Sequence, residues 1–345
     1  MATAKKQKDG TWRIQPCVTI LGEKRRTNIR ADSKREAERL AQEWVESQGK
    51  PKPKTDLTVR EAVFQFIKNR ESVFSPSTIR GYNSIANSGI PGLMDMKLTS
   101  VTPEILQKEV DNFSKTRSPK TVANNYDLII SAMRAASYDI PVEITLPAKR
   151  QTDIRVPSHD EVSVFMKHAQ GKRIYIPMML ALFCGLRESE VAALKLKNIF
   201  MKEKVCFIRV EEALVQGPAG AELKQPKSFA GYREIPLHQD FCQKLIEAAK
   251  ENKDGRVTTF TSKQLSNAWI DFSSRVDVEH VTFHALRHFY ASNALLNNVP
   301  IDYVVAMMGH SSRAMVERVY KHIFPESQFE FAARIVNEYE RYLNA

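Results

Sequence analysis

Ile174-Tyr-Ile-Pro-Met-Met-Leu-Ala-Leu-Phe183, followed by Cys184-Gly185-Leu186-Arg187-Glu188-Ser189-Glu190, is the stretch from which the rest of the chain is read. Its first part is apolar throughout, as a helix buried on all sides must be. Gly185 stands where a helix closes in left-handed backbone, which costs glycine no Cβ strain. Val191, Leu194 and Leu196 then restart an apolar pattern. Arg187 is therefore placed at a sharp break between two buried helices. Such a break can aim a side chain into a cleft; taken alone, an arginine at a helix start is more often solvated surface.

Downstream, Lys204 to Val210 reads as a strand. Lys224-Gln-Pro-Lys227-Ser-Phe-Ala-Gly-Tyr-Arg233-Glu-Ile-Pro-Leu237 reads as a β-hairpin with Lys227 at its tip and Arg233 to Leu237 returning. A lysine at a hairpin tip is by default solvated. His284-Ala-Leu-Arg287-His288 predicts a helix on which His284 and Arg287 share a face. His284 and His288 also have the i, i+4 spacing of zinc ligands. Ala285, however, stands where a metalloprotease needs glutamate, and no third ligand offers itself, so no metal is expected. Ile301, Val304, Val305 and Met308 line a short helix closed by Gly309, with His310 next. A following helix, from about Ser312, carries Met315 and Val319 on its buried face with Tyr320 beside them. A tyrosine so placed is usually a core residue with its hydroxyl satisfied.

The whole chain has 345 residues, enough for two or three domains, and is 43% hydrophobic and 26% charged. Whole-chain disorder and a coiled coil are excluded at that composition. No apolar run reaches the roughly 18 residues of a membrane span. Met1-Ala-Thr-Ala-Lys-Lys-Gln-Lys8 lacks the apolar core of a secretion signal. Cys17, Cys184, Cys206 and Cys242 lie far apart with no CxxC pair, which predicts a reducing compartment and neither a structural zinc site nor a disulfide framework. The expected location is the cytoplasm. Fifty-one Lys and Arg against 40 Asp and Glu give a net +11, a balance that favours a polyanionic partner, nucleic acid first.

Residues 1 to 30 alone carry a net +6. Trp12, Ile14, Val18 and Ile20 alternate as in one half-buried strand, Leu21 to Lys24 reads as a turn, and Arg25 to Arg30 as the return. Ser33 with Glu36 forms a capping box ahead of Ala37, Leu40, Ala41, Trp44 and Val45, one apolar helix face. A small basic sheet braced by a helix can enter a DNA groove; a solvated basic hairpin is the alternative. Gln48 to Lys54 is a Pro- and Lys-rich linker. Residues 55 to 146 read as four or five helices, with Thr58/Glu61 as a capping box and Ser75-Pro76, Thr102-Pro103 and Ser118-Pro119 as N-cap and N1 pairs. Val59, Val63, Phe64, Phe66 and Ile67 line the first of these, and Leu128, Ile129, Ala132 and Met133 the last. Thr145 to Pro157 is a second linker, after which Ser158 and Glu161 open the last domain. Phe329 to Ala345 reads as a helix that packs either on its own domain or on a neighbouring subunit.

Gly185-Leu-Arg187-Glu-Ser-Glu190, Lys227 before Arg233-Glu-Ile-Pro236, His284-Ala-Leu-Arg287-His288, Gly309-His310 and Tyr320 together resemble, in order and spacing, the tyrosine recombinase family of the phage-integrase type. The resemblance implies a multidomain, mainly α fold with small β elements. Its parts are a β-sheet-plus-helix domain for arm-type DNA sites (1–50), a helical, SAM-like core-binding domain (55–146), a linker (147–157) and a mixed α/β catalytic domain (158–345). It implies double-stranded DNA as partner, a homo-tetramer on paired sites, a DNA-bending host factor, an excision factor, and no cofactor or metal. Arg13, Lys24, Arg25 and Arg26 on the first domain, and Arg80 and Lys120 on the helical one, are the candidate DNA contacts.

The resemblance also assigns roles. Tyr320 attacks a DNA phosphorus and expels the 5′-oxygen, leaving a 3′-phosphotyrosyl bond. A free phenol is only about 0.1% ionised at pH 7, so it needs a base or a strongly positive pocket. Arg187 and Arg287 grip the phosphate, each bidentately as a lysine cannot. His310 donates to a non-bridging oxygen, His284 exchanges a proton, Lys227 protonates the leaving oxygen, and Glu190 orients the assembly from behind. Rival readings are a type IB-like topoisomerase, a non-catalytic DNA-binding regulator on the same fold and, weakest, a zinc hydrolase.

Overall fold

The computed structural model describes residues 3–7, 9–20, 23–48, 57–138, 144–148, 154–226, 229–309, 313–314 and 316. They fall into two compact units, one from Met1–Phe74 and Gly81–Arg150, the other from Ser75–Arg80 and Gln151–Ala345. Both expected linkers lie partly outside the described residues.

The chain opens with β1 (Lys5–Lys6), β2 (Trp12–Ile14), β3 (Cys17–Ile20), β4 (Glu23–Arg26), β5 (Ile29–Ala31) and α1 (Lys34–Gln48). The single strand expected over Trp12 to Ile20 is two strands in different sheets, β1-β2-β5 and β3-β4. Pro16 has no N–H and cannot continue the ladder past Ile14; its carbonyl accepts instead from the Thr27 N–H at 3.4 Å. The return strand divides in the same way, with Arg13 opposite Arg30 on one side and Val18 opposite Arg25 on the other. Ser33 Oγ accepts from the Glu36 N–H at 3.2 Å and starts α1 as read. Ala37 and Ala41 then bury against Ala4 and Ile14 in a small core.

Five helices follow: α2 (Val59–Lys68), α3 (Pro76–Ser88), α4 (Pro91–Met94), α5 (Pro103–Ser114) and α6 (Pro119–Ala135). Thr58 and Glu61 cap reciprocally, and Thr102 and Ser118 each accept an N–H from the first turn of their helix. Val59, Val63 and Ile67 of α2 are buried, as are Leu128, Ile129, Ala132 and Met133 of α6, and the two helices pack together. Phe64, expected on that face, turns outward.

The second unit contains α7 (His159–Ala169), α8 (Tyr175–Cys184), α9 (Glu188–Ala193), β6 (Ile199–Lys202), β7 (Val205–Val210), β8 (Ala213–Gln216), β9 (Ala221–Lys224), β10 (Arg233–Leu237), α10 (Gln239–Glu251), α11 (Ser262–Ser273), α12 (Phe283–Leu296) and α13 (Ile301–Met308). Its core is aromatic and aliphatic: Trp269 is wholly buried among Phe165, Phe272 and Phe283, and its indole N–H donates to Val281 O at 2.7 Å. The apolar α8 lies against α12.

Two expectations are corrected here. The hairpin expected from Lys224 to Leu237 is not formed among the described residues. β9 pairs back with β8 around Gly217 and Gly220, while β10 joins β7 in a sheet ordered β10-β7-β6. The alternating apolar residues of β10 need a buried face, and β7 supplies it. Second, the four cysteines are not all thiols. Cys206 on β7 and Cys242 on α10 form a disulfide with a Cα–Cα distance of 6.3 Å. Thirty-six residues separate them in sequence, but α10 packs on β7, so spacing along the chain gave no warning. That pairing removes cysteine spacing as an argument about compartment. No described helix is long and apolar enough to cross a membrane.

Candidate functional site

α8 ends as its sequence requires, with Gly185 at φ +60°. A Cβ at Gly185 would meet the Tyr290 ring at 2.6 Å, so glycine is demanded by both conformation and space. The chain then turns through the buried Leu186 into α9, with Arg187 as its extended N-cap. The Arg187 N–H donates to Glu190 Oε2 at 2.9 Å and its guanidinium Nη1 to Oε1 at 2.7 Å.

Glu190 is the hub. Its side chain is 8% exposed. Arg233, the first residue of β10, spans both carboxylate oxygens, Nη2 to Oε2 at 2.7 Å and Nη1 to Oε1 at 3.2 Å. Arg287, from α12, brings its Nη1 to 3.8 Å from Oε2. Burial pushes the Glu190 carboxyl up, but the Arg233 fork, then Arg287 and Arg187, outweigh it and hold the pKa down to about 2. Arg287 is completely buried. Burial and the Arg187 charge lower its pKa to about 9, against Glu190, so it stays a cation at neutral pH.

The same three arginines close the end of α13. Arg233 Nε donates to Met307 O at 2.6 Å, Arg287 to Met308 O, and Arg187 Nη2 to Gly309 O at 3.1 Å. These carbonyls have no partner within the helix and form the negative end of its dipole. Gly309 adopts φ +61°, again the left-handed turn read from the sequence. Arg287 also donates to Gly185 O, tying the two glycine turns together.

His284 sits in the first turn of α12 with solvent on one side and the His288 ring at 4.8 Å on the other. Partial desolvation, then the Arg287 and Arg187 charges, lower its pKa to about 4, against Glu190. The imidazole is therefore neutral at pH 7, able to accept a proton.

The pairs Arg187/Glu190 and His284/Arg287, far from each other in sequence, thus converge. Lys227, His310, Tyr320 and the stretch Phe329 to Ala345 lie outside the described residues. Of the candidate DNA contacts, Arg13 is half-buried with its fork on Asn28 Oδ1 at 2.7 and 3.1 Å, while Arg26, Arg80 and Lys120 are exposed. Lys24 and Arg25 lie on β4, and their side chains are outside the described residues. The sequence reading missed Arg233. The signal was present: strand alternation puts Arg233 on the same face as Ile235 and Leu237, and all three are buried.

The Phage integrase family matches residues 155–327, half of the chain. A "Tyrosine recombinase XerC-like" protein of Caldanaerobacter subterraneus is 23% identical over 249 residues, covering 64% of this chain and 63% of that protein. The integrase of Salmonella phage P22 is 26% identical over 230 residues, covering 64% and 58%. The Tn1549 transposon integrase, solved with transposon right-end DNA, superposes with a TM-score of 0.66 at 19% identity over 81% of this chain and 100% of that one. A lambda integrase tetramer bound to a Holliday junction gives 0.60 at 15% identity over 92% and 94%. The chain belongs to the phage integrase family, and its fold is that of the integrases. It spans about 60% of the length of the curated relatives it matches.

Proposed function

We propose that the protein is a site-specific DNA recombinase that cuts and rejoins double-stranded DNA through a tyrosyl intermediate, integrating or excising a mobile element such as a prophage. The observation that carries this is the meeting of Arg187 and Arg287 on one buried carboxylate, at the helix end that runs directly into His310. Three guanidiniums and one carboxylate leave the pocket a net dication, suited to a phosphodiester whose charge grows in the transition state.

In the proposed step the Tyr320 hydroxyl oxygen bonds to phosphorus and the bond from phosphorus to the 5′-oxygen breaks. The phenolic proton passes to the neutral His284, and Lys227 supplies a proton to the departing oxygen. Arg187, Arg287 and His310 hold the non-bridging oxygens. The phosphotyrosyl bond conserves the energy of the one it replaced, so a 5′-hydroxyl from a second duplex reverses the step. The relatives are named as recombinases and integrases, which favours strand exchange over relaxation of supercoils. In this reading residues 1–50 bind arm sites, 55–146 and 158–345 both bind the core site, with 147–157 as the connection, and four subunits act on two paired sites in the bacterial cytoplasm. A DNA-bending host factor and an excision factor complete the assembly.

The test uses a nicked suicide duplex carrying the short direct repeats that flank the gene. Incubation with chelator, then a denaturing gel, is expected to show a covalent protein–DNA adduct that Tyr320→Phe abolishes. No adduct from the wild type, or one that chelator removes, overturns the proposal.

A further inference from the structure

Arg233 is the charged residue that this reaction scheme leaves without a part. Its side chain is 3% exposed, the least accessible partner of Glu190 after Arg287. Its fork covers both Glu190 oxygens, its Nε holds Met307 O, and its Nη1 also reaches Gly231 O at 3.3 Å. One guanidinium therefore ties together three chain segments. The first is the turn that presents Arg187, the second the short helical turn Phe229–Gly231 that follows Lys227, and the third the end of α13 that leads into His310. Gly309 fits this packing closely: a Cβ there would lie 2.9 Å from Arg233 Nη1 and 2.9 Å from Ala230 O.

Charge balance sharpens the point. Were Arg233 neutral, Glu190 would cancel one of the two arginines that the proposed step assigns to the phosphate. With Arg233 spanning its oxygens, the carboxylate is already neutralised, and Arg187 and Arg287 keep their charge for substrate. We infer that Arg233 is a positioning residue of the recombination site: it occupies Glu190 and fixes the turn bearing Arg187, the Phe229–Gly231 turn and the end of α13 relative to Arg287. This rests on the recombinase reading above. The described charged or titratable groups facing Glu190 are Arg187 on its own helix, Arg233 from β10, and Arg287 and His284 from α12. Arg209, Glu211 and Glu212 line a small cavity beside it.

The experiment measures single-turnover adduct formation on the nicked duplex between pH 5 and 8, with duplex affinity and melting temperature, for full-length Arg233→Lys, Arg233→Met and Arg233→Met/Glu190→Gln. A lysine keeps one charge but cannot span Glu190 and Met307 O together. Arg233→Lys is expected to fold and to bind DNA within about threefold of wild type, yet to cleave about 10²-fold more slowly, the scale of an ångström-level misplacement. Freed of its fork, Glu190 takes up a proton at higher pH, so an acid limb appears that wild type lacks. Glu190→Gln in the Arg233→Met background is expected to recover about tenfold, as coupled contacting groups do. It should still cleave more slowly than wild type, with no acid limb. Arg233→Lys with wild-type rate and pH profile overturns the inference while leaving the recombinase reading intact. If the single variants do not fold, the double variant decides, and wild-type cleavage by it overturns the inference equally. A wild type that forms no adduct sinks the recombinase reading itself, and this inference with it.

Discussion

Glu190→Gln preserves the shape of the hub and removes its charge, leaving buried Arg233 and Arg287 without their anion. Removing one partner of a buried pair costs about 3–5 kcal/mol. The carboxyl gives an independent figure. Its pKa falls from 4.5 to about 2 on folding, worth roughly 3 kcal/mol at about 1.4 kcal/mol per pKa unit. For a unit of this size each kcal/mol moves the midpoint by about 2–4 °C, so the unit holding Glu190 should melt about 6–20 °C lower at pH 7. Calorimetry of the full chain, with the emission of the buried Trp269 as a reporter of that unit, measures it. The sign with pH follows from a depressed carboxyl. Its contribution is complete above the unfolded pKa and is lost as pH falls through about 4.5 toward 2, so wild type and variant should converge in acid. A variant that melts within 2 °C of wild type at pH 7, or a gap that persists undiminished near pH 2, would refute the hub reasoning.

Replacing either Arg187 or Arg287 by lysine removes a bidentate grip and should slow adduct formation by roughly 10²- to 10³-fold; single-turnover rates within tenfold of wild type would contradict the assignment. Gly309→Ala forces a Cβ against Ala230 O and Arg233 at a left-handed position, where strain costs about 1–2 kcal/mol before the clash is counted. It should depress both the melting point and the cleavage rate. His284, held at about 4, is neutral through pH 8 to 5.5, so no rate loss in that window should trace to it. Its contribution to stability is full above pH 6.5 and fades toward pH 4; a limb near pH 6.5 that vanishes in His284→Gln would show an ordinary histidine instead. Core-duplex affinity should fall steeply and linearly on a log–log plot against salt, as phosphate neutralisation demands, and a flat response would count against a DNA clamp.

Much of this was legible locally. The capping boxes at Thr58/Glu61 and Ser158/Glu161 and the glycine closures at Gly185 and Gly309 depend only on residues within one turn, so their sequence positions sufficed. Arg187, His284 and Arg287 were singled out by the resemblance to the tyrosine recombinases rather than by that punctuation. Strand partners were not legible. Nothing in Lys224 to Leu237 says that β10 seeks β7 rather than β9, because pairing is settled by whichever neighbour offers a buried face. The Cys206–Cys242 pairing was hidden for the same reason.

What the sequence determined by itself is where helices begin and end and which side chains are left at their ends, since backbone strain, capping and apolar period act over a few residues. What tertiary structure alone decided is that Arg233 shares Glu190 with Arg187 and Arg287, and that all three arginines close the end of α13. A carboxylate buried with three guanidiniums is stable only when Arg233, 43 residues from Glu190, and the still more distant Arg287 arrive together with it. That balance of desolvation against charge exists only in the folded interior.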